Sequence, residues 1–341
     1  MSFKKSFLLN SFIIITNFVF FNSGVFAAEP STYANGFNGT IILGGQIVVL
    51  KSNMIYGFSN YNDFTEEKND DPSESTEKQI IINPVISPRL AYTFENNTKI
   101  FFLVDSLEPY SSNDSGVILG ISSGSNNTGN IGISGIYGVP SSTWIDPYSI
   151  DRETTKTGCF GVLTEWENFF GSNLNLKYMF RKITIEDEKS GEAEGLLDDE
   201  IDLLNREGKH HRVGAEYSFF MANYTNILKF GFDYDIYNLQ GDAMSFDRYT
   251  GRVDYIYMNR ELRYNIILSA SYSYSKNKEE NPIFDKTIRT DKFGGAITFI
   301  KEQFLYDLDF MVNIQSYKKY TNQDFYDEHS LSAALGLIYH I

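Results

Sequence analysis

The chain has 341 residues, a formal net charge of −15, 16% aromatic residues, 26 glycines, 8 prolines and a single cysteine. An acid excess of this size argues against a nucleic-acid partner, because a phosphate backbone demands a basic surface. The lone Cys159 rules out an internal disulfide and is read as a small residue inside a strand.

In chain order, Lys4 and Lys5 precede an apolar run from Phe7 to Phe21 and then GVFAAEP, which predicts a secretory signal peptide over 1–27. Cleavage after Ala27 puts Val25 and Ala27 at the two positions a signal peptidase reads, and leaves 28–341 as one exported domain. Loss of Lys4 and Lys5 takes the charge from −15 to −17. A membrane-anchoring helix fits this segment poorly, since Asn10, Ser11, Thr16 and Asn17 interrupt it. No later stretch approaches the roughly eighteen apolar residues that a spanning helix requires. Two segments hold most of the acid. Ser59–Gln79 has seven acids against Lys68 and Lys78, and Glu188–Glu207 has eight against Lys189 and Arg206.

Strand-like alternation fills the exported part. Leu174, Leu176, Tyr178 and Phe180 alternate with Asn173, Asn175, Lys177 and Met179, and Leu228, Phe230, Phe232, Tyr234 and Ile236 alternate with Lys229, Gly231, Asp233 and Asp235. A helix would scramble both sets. The pattern predicts about fourteen strands, with 12 and 16 as the neighbouring even counts. Short links at ENNT (95–98), GSNN (124–127), FFGS (169–172), MAN (221–223), NR (259–260) and EQ (302–303) alternate with longer ones. The chain finishes on SLSAALGLIYHI, apolar on alternate residues to its last position.

An even strand count, short turns at one end and long loops at the other specify a closed antiparallel transmembrane β-barrel of the bacterial outer membrane. Lipid then takes the apolar faces, and ring closure satisfies the backbone. Aromatic residues crowd the short turns, as an interfacial girdle requires: Tyr92 and Phe94, Phe169 and Phe170, Phe219 and Phe220. The expected partners are outer-membrane lipid and lipopolysaccharide, the barrel assembly machinery and small hydrophilic solutes. The assembly signal of such barrels has an aromatic terminal residue. Ile341 departs from it, and Tyr339 keeps part of it.

At GFNGTI (36–41), STWIDPY (142–148), EDEKSG (186–191), NPIFDKT (281–287) and FYDE (325–328), the chain resembles an uncharacterised bacterial outer-membrane family defined only as a domain of unknown function. The resemblance spans nearly the whole exported part and implies a porin-like envelope protein. It implies no activity and no functional residue.

The candidate pore-lining residues are those on the inward parity: Glu165, Glu167, Arg181, Arg212, Glu216, Asp233, Asp235, Arg252, Asp254, Arg263, Asp307 and Asp309, with Lys177, Lys229 and Glu261 among their neighbours. A passive diffusion channel with mild cation preference is the expected function, since acids near a mouth concentrate cations. The alternative is a plugged barrel acting as a structural or adhesive surface protein through its acidic loops. In EAEGLLDDEIDLLNRE, Leu197, Ile201 and Leu204 have helical spacing. That helix is expected on the rim, with an inward constriction as the other placement. No enzyme, metal or cofactor is expected: His210 and His211 face opposite sides of a strand, and no serine motif accompanies them.

Overall fold

A computed structural model describes residues 35–55, 78–107, 115–222 and 224–341. The expected signal peptide and nearly all of the Ser59–Gln79 acidic segment lie outside the described residues. The strands are β1 (Gly36–Lys51), β2 (Gln79–Thr93), β3 (Lys99–Ser106), β4 (Ser115–Ser125), β5 (Gly129–Gly138), β6 (Ser141–Trp144), β7 (Thr154–Glu167), β8 (Leu174–Ile185), β9 (Gly208–Met221), β10 (Asn226–Leu239), β11 (Phe246–Asn259), β12 (Tyr264–Asn277), β13 (Arg289–Leu305), β14 (Leu308–Thr321) and β15 (Glu328–His340). The one α-helix among the described residues, α1, spans Asp198–Asp202.

Consecutive strands pair antiparallel except β5 with β6, and the β1–β15 and β5–β7 pairings close the ring. β1 pairs with β15 from Thr40↔His340 to Lys51↔His329. β5 pairs directly with β7, which leaves the four-residue β6 as an appendage of β7 outside the ring. The barrel therefore has fourteen strands. Gly39 and Ile341 exchange backbone hydrogen bonds of 3.2 and 2.9 Å, so the final residue takes part in closure. Closure leaves no free sheet edge, the condition for a sheet in hydrocarbon.

Exposure along the strands runs opposite to that of a water-soluble protein. On β15, Leu335 is 57% exposed and Ser332 3%. On β12, Leu268, Tyr272 and Tyr274 are exposed, whereas Ser273 and Ser275 are buried. The outward parity is apolar round the ring, so lipid is its solvent and the protein is an outer-membrane barrel. Gly44 faces Gly336 across the β1–β15 seam. A Cβ on Gly44 would lie 2.1 Å from the Leu335 carbonyl oxygen, so the seam closes only with glycine there. Aromatic rings cluster at the short turns: Trp166 and Phe169 have centroids 4.5 Å apart, Tyr92 and Phe94 4.9 Å, and Phe220 and Tyr224 5.2 Å.

Two short turns differ from expectation. Residues 260–263 form the β11–β12 turn, with Asn259 Oδ1 accepting from the Leu262 amide at 2.8 Å and Arg263 at φ 50°. β13 continues through Glu302–Gln303 with a register shift between Lys301 and Leu305, and the hairpin closes at Tyr306–Asp307. Arg263 and Asp307, expected to line the lumen, are thus exposed turn residues, as is Glu261. Alternation ran past the ends of the strands, because a turn residue can keep the parity of the strand it follows.

Candidate functional site: a two-sided lumen beneath a loop lid

Across β7–β11 the inward parity carries a dense set of charges, and most of them meet an opposite one. Asp235 lies at the centre. Its Oδ1 accepts from Arg212 Nε at 2.6 Å and from His210 Nε2 at 2.7 Å, and its Oδ2 accepts from Arg248 Nε at 3.1 Å. Arg181 Nε donates to His210 Nδ1 at 2.7 Å, which places the imidazole proton on Nε2, toward Asp235. Tyr237 stacks on that ring at 4.0 Å. Nearer the short turns, Glu216 bonds Arg252 and meets Lys229 at 3.4 Å, while Arg252 Nε donates to Asp254 at 2.9 Å. Lys177 Nζ lies 2.9 Å from Asp233 Oδ1 as an ion pair. Burial on this scale costs several kcal/mol per ion and is tolerated only when every charge meets a partner.

Of the twelve candidates, Arg181, Arg212, Glu216, Asp233, Asp235, Arg252 and Asp254 fall in this lattice, and Glu165 and Glu167 face inward from β7 beside it. Asp309 is separate, near the short-turn end of β14, where its Oδ2 meets His340 Nε2 at 2.8 Å. Sequence reasoning left out Arg248, although its parity matches that of Arg252 and Asp254, and set His210 aside because it judged the residue without its neighbours.

Across the ring, β13–β15 with β1 and β2 present neutral side chains at mid-height, among them Gln46, Asn83, Asn313 and Ser332. Toward the short turns an apolar collar follows. It runs over eight adjacent strands, from Ile227 on β10 through Ile267 and Met311 to Ile42 and Val85 on β2. These residues have inward parity and are almost wholly buried.

At the long-loop end, residues far apart in sequence form a second core. Tyr148 and Tyr326 share a hydroxyl hydrogen bond of 2.6 Å, and Asn281 Nδ2 donates to both at 3.3 and 2.8 Å. Phe325 stacks on Tyr148 at 5.3 Å, and Leu204, Ala243 and Ile288 fill in around them. Asn53 Nδ2 donates to the Phe325 carbonyl at 3.1 Å, and Arg206 joins Glu188 to the Trp144 carbonyl at 2.6 Å. Six loops are thereby tied into one lid. Burial pushes the Tyr148 hydroxyl up to about 12 and the Tyr326 hydroxyl well above the ordinary tyrosine value. Helix α1 belongs to this lid: Leu204 behind it is fully buried, while Leu197 in front of it is exposed. STWIDPY, EDEKSG, NPIFDKT and FYDE supply Tyr148, Glu188, Asn281 and Phe325–Tyr326, so four of the stretches that carry the family resemblance meet at the lid.

No curated protein matches the chain. Among solved structures, a FadL homologue of Pseudomonas aeruginosa is similar at 9% identity and a TM-score of 0.43, over 89% of this chain and 90% of that one. The outer membrane channel DcaP of Acinetobacter baumannii is similar at 10% identity and a TM-score of 0.39, over 92% and 100%. An anion-selective porin from Comamonas acidovorans is similar at 8% identity and a TM-score of 0.38, over 89% and 98%. Residues 36–340, the whole ring from β1 to β15, match one family model, and the chain belongs to the family described as "Protein of unknown function (DUF2860)".

Proposed function

We propose that the barrel is a channel for small hydrophilic solutes and that the described conformation is its closed one. One observation carries the reading: an inner wall of charged and polar side chains lies beneath a lid of packed loops. About eight strands leave an interior that side chains fill and sixteen to eighteen leave an aqueous channel, so fourteen enclose space beyond their own inward side chains. Narrowing by the collar and the lid points to a selective channel rather than a wide pore. Mild cation preference belongs to the same reading. Most inward carboxylates face a cation, so the preference arises at the mouth, where Glu188–Glu207 carries eight acids against two bases. The reading assigns lipopolysaccharide as the neighbour of the loop-side rim, and the assembly machinery as the reader of β15, from which Tyr339 points outward. It assigns no reaction to the barrel.

Planar-bilayer recording tests it. Wild-type protein should give brief, small current steps. Phe325→Ala, which removes the ring stacked on Tyr148, should lengthen them, and a KCl gradient should shift reversal toward the cation potential. Silence from both proteins, each correctly folded by its shifted migration when unboiled, would leave a plugged barrel that anchors surface loops. Reversal at zero would remove the cation preference.

A further inference from the structure

We propose that the neutral sector of the inner wall is a binding site for an uncharged, polyhydroxylated solute of the sugar class, a refinement that rests on the channel reading for the solute's access. Direct cross-strand partners place Thr298, Asn313, Ala334, Gln46 and Asn83 in one row across five adjacent strands. Neighbouring strands lie about 4.8 Å apart, so the row runs roughly 19 Å round the wall. Within it, Asn313 Nδ2 donates to Thr298 Oγ1 at 2.8 Å. Gln46 Nε2 and Oε1, Asn83 Nδ2 and Asn313 Oδ1 have no hydrogen-bond partner among the described residues, nor does Ser332 Oγ in the next row toward the long loops. Yet Gln46, Asn83, Asn313 and Ser332 are only 1–3% exposed. Buried polar groups are almost always paired, so five unpaired atoms side by side mark a surface shaped for a partner.

The chemistry of that partner follows from the atoms. Primary amides and a hydroxyl offer donors and acceptors together and carry no formal charge. A solute with several hydroxyls both donates and accepts at such a row. An ion would leave its hydration shell without meeting an opposite charge, because the inward cations and carboxylates across the ring are engaged with one another. The next row toward the short turns, Ile300, Met311 and Val85 with two glycines between, is apolar. An apolar shelf beside a hydrogen-bonding row matches the C–H face and hydroxyl edge of a sugar ring.

The test uses the full barrel refolded in detergent with maltose as the probe, and calorimetric titration as the readout. Saturable binding is expected in the wild type. The near-isosteric Gln46→Met should weaken it about tenfold, and Gln46→Met with Asn313→Leu further, because each removes hydrogen bonds of ordinary strength. Sodium gluconate and choline chloride should not compete. Absence of maltose binding in the wild type would overturn the proposal and show that water alone satisfies the amides, and unchanged affinity in Gln46→Met would overturn it as well. Parallel bilayer recording separates the two readings. Current without maltose binding removes this site and keeps the channel, whereas binding without current keeps the site and removes the channel.

Discussion

Across β7–β11 most inward charges meet an opposite one, whereas at mid-height across β13–β15, β1 and β2 the inward side chains are mainly amides and hydroxyls with polar atoms left over. Both sectors belong to one ring and carry equally apolar outer faces, so lipid does not distinguish them. The difference lies in what each can release. An ion buried beside its partner is held there, since separation exposes two charges to a low dielectric at several kcal/mol each. An unpaired amide costs about 1–3 kcal/mol and is free to bond whatever arrives. One wall is therefore fixed by its own chemistry, and the other keeps hydrogen-bonding capacity that its own side chains do not use.

Asp235→Ala should break the comparison most severely. It leaves Arg212 and Arg248 without their shared carboxylate and should destabilise the barrel by about 3–5 kcal/mol, read from the denaturant midpoint in detergent. A loss under about 1 kcal/mol would mean that water solvates the charged wall. Gln46→Leu should move the other way, stabilising the barrel by about 1 kcal/mol, because it removes two buried, unpaired atoms and puts an apolar side chain beside the collar. Clear destabilisation would reveal a partner for the amide. The third effect is confined to the lid and appears only at high pH. Tyr148 is raised from 10.0 to about 12 by burial, so below pH 10 the hydroxyl is protonated folded or unfolded and the lid keeps its full stability. Between pH 10 and 12 only the unfolded loop loses its proton, and the lid weakens as pH rises. Limited proteolysis across that range should show loop cleavage increasing, and Tyr148→Phe should make the profile shallower, the raised Tyr326 hydroxyl supplying the dependence that remains.

Much of the ring was legible because lipid enforces a strict period of two. Leu335, Leu337 and Tyr339 on one parity and Ser332 and Ala334 on the other announce β15 without any long-range information. The same period gave the inward parity of Asp235 and Arg212. It could not give their contact, which depends on the register of β9 against β10. Arg263 and Asp307 show where the period misleads, for a turn residue, the left-handed Arg263 or the Asp307 that follows left-handed Tyr306, carries on the alternation while the strand has ended. Asn259 held the missing signal, since its side chain bonds the Leu262 amide as turn-forming asparagines do. The lid was the least legible part. Tyr148, Asn281 and Tyr326 lie in three separate loops, and nothing local to any of them encodes the meeting.

The division of lumen from lipid is tested most directly by a spin-label scan of β12 in bilayers. Single cysteines at positions 268 to 274 would be introduced on a Cys159→Ser background, and collision with oxygen compared with collision with a water-soluble nickel chelate. Positions 268, 270, 272 and 274 should collide with oxygen, and 269, 271 and 273 should not, a period of two through the whole segment. Equal access at both parities, or oxygen favouring the serine positions, would contradict a barrel solvated by lipid on its outer face.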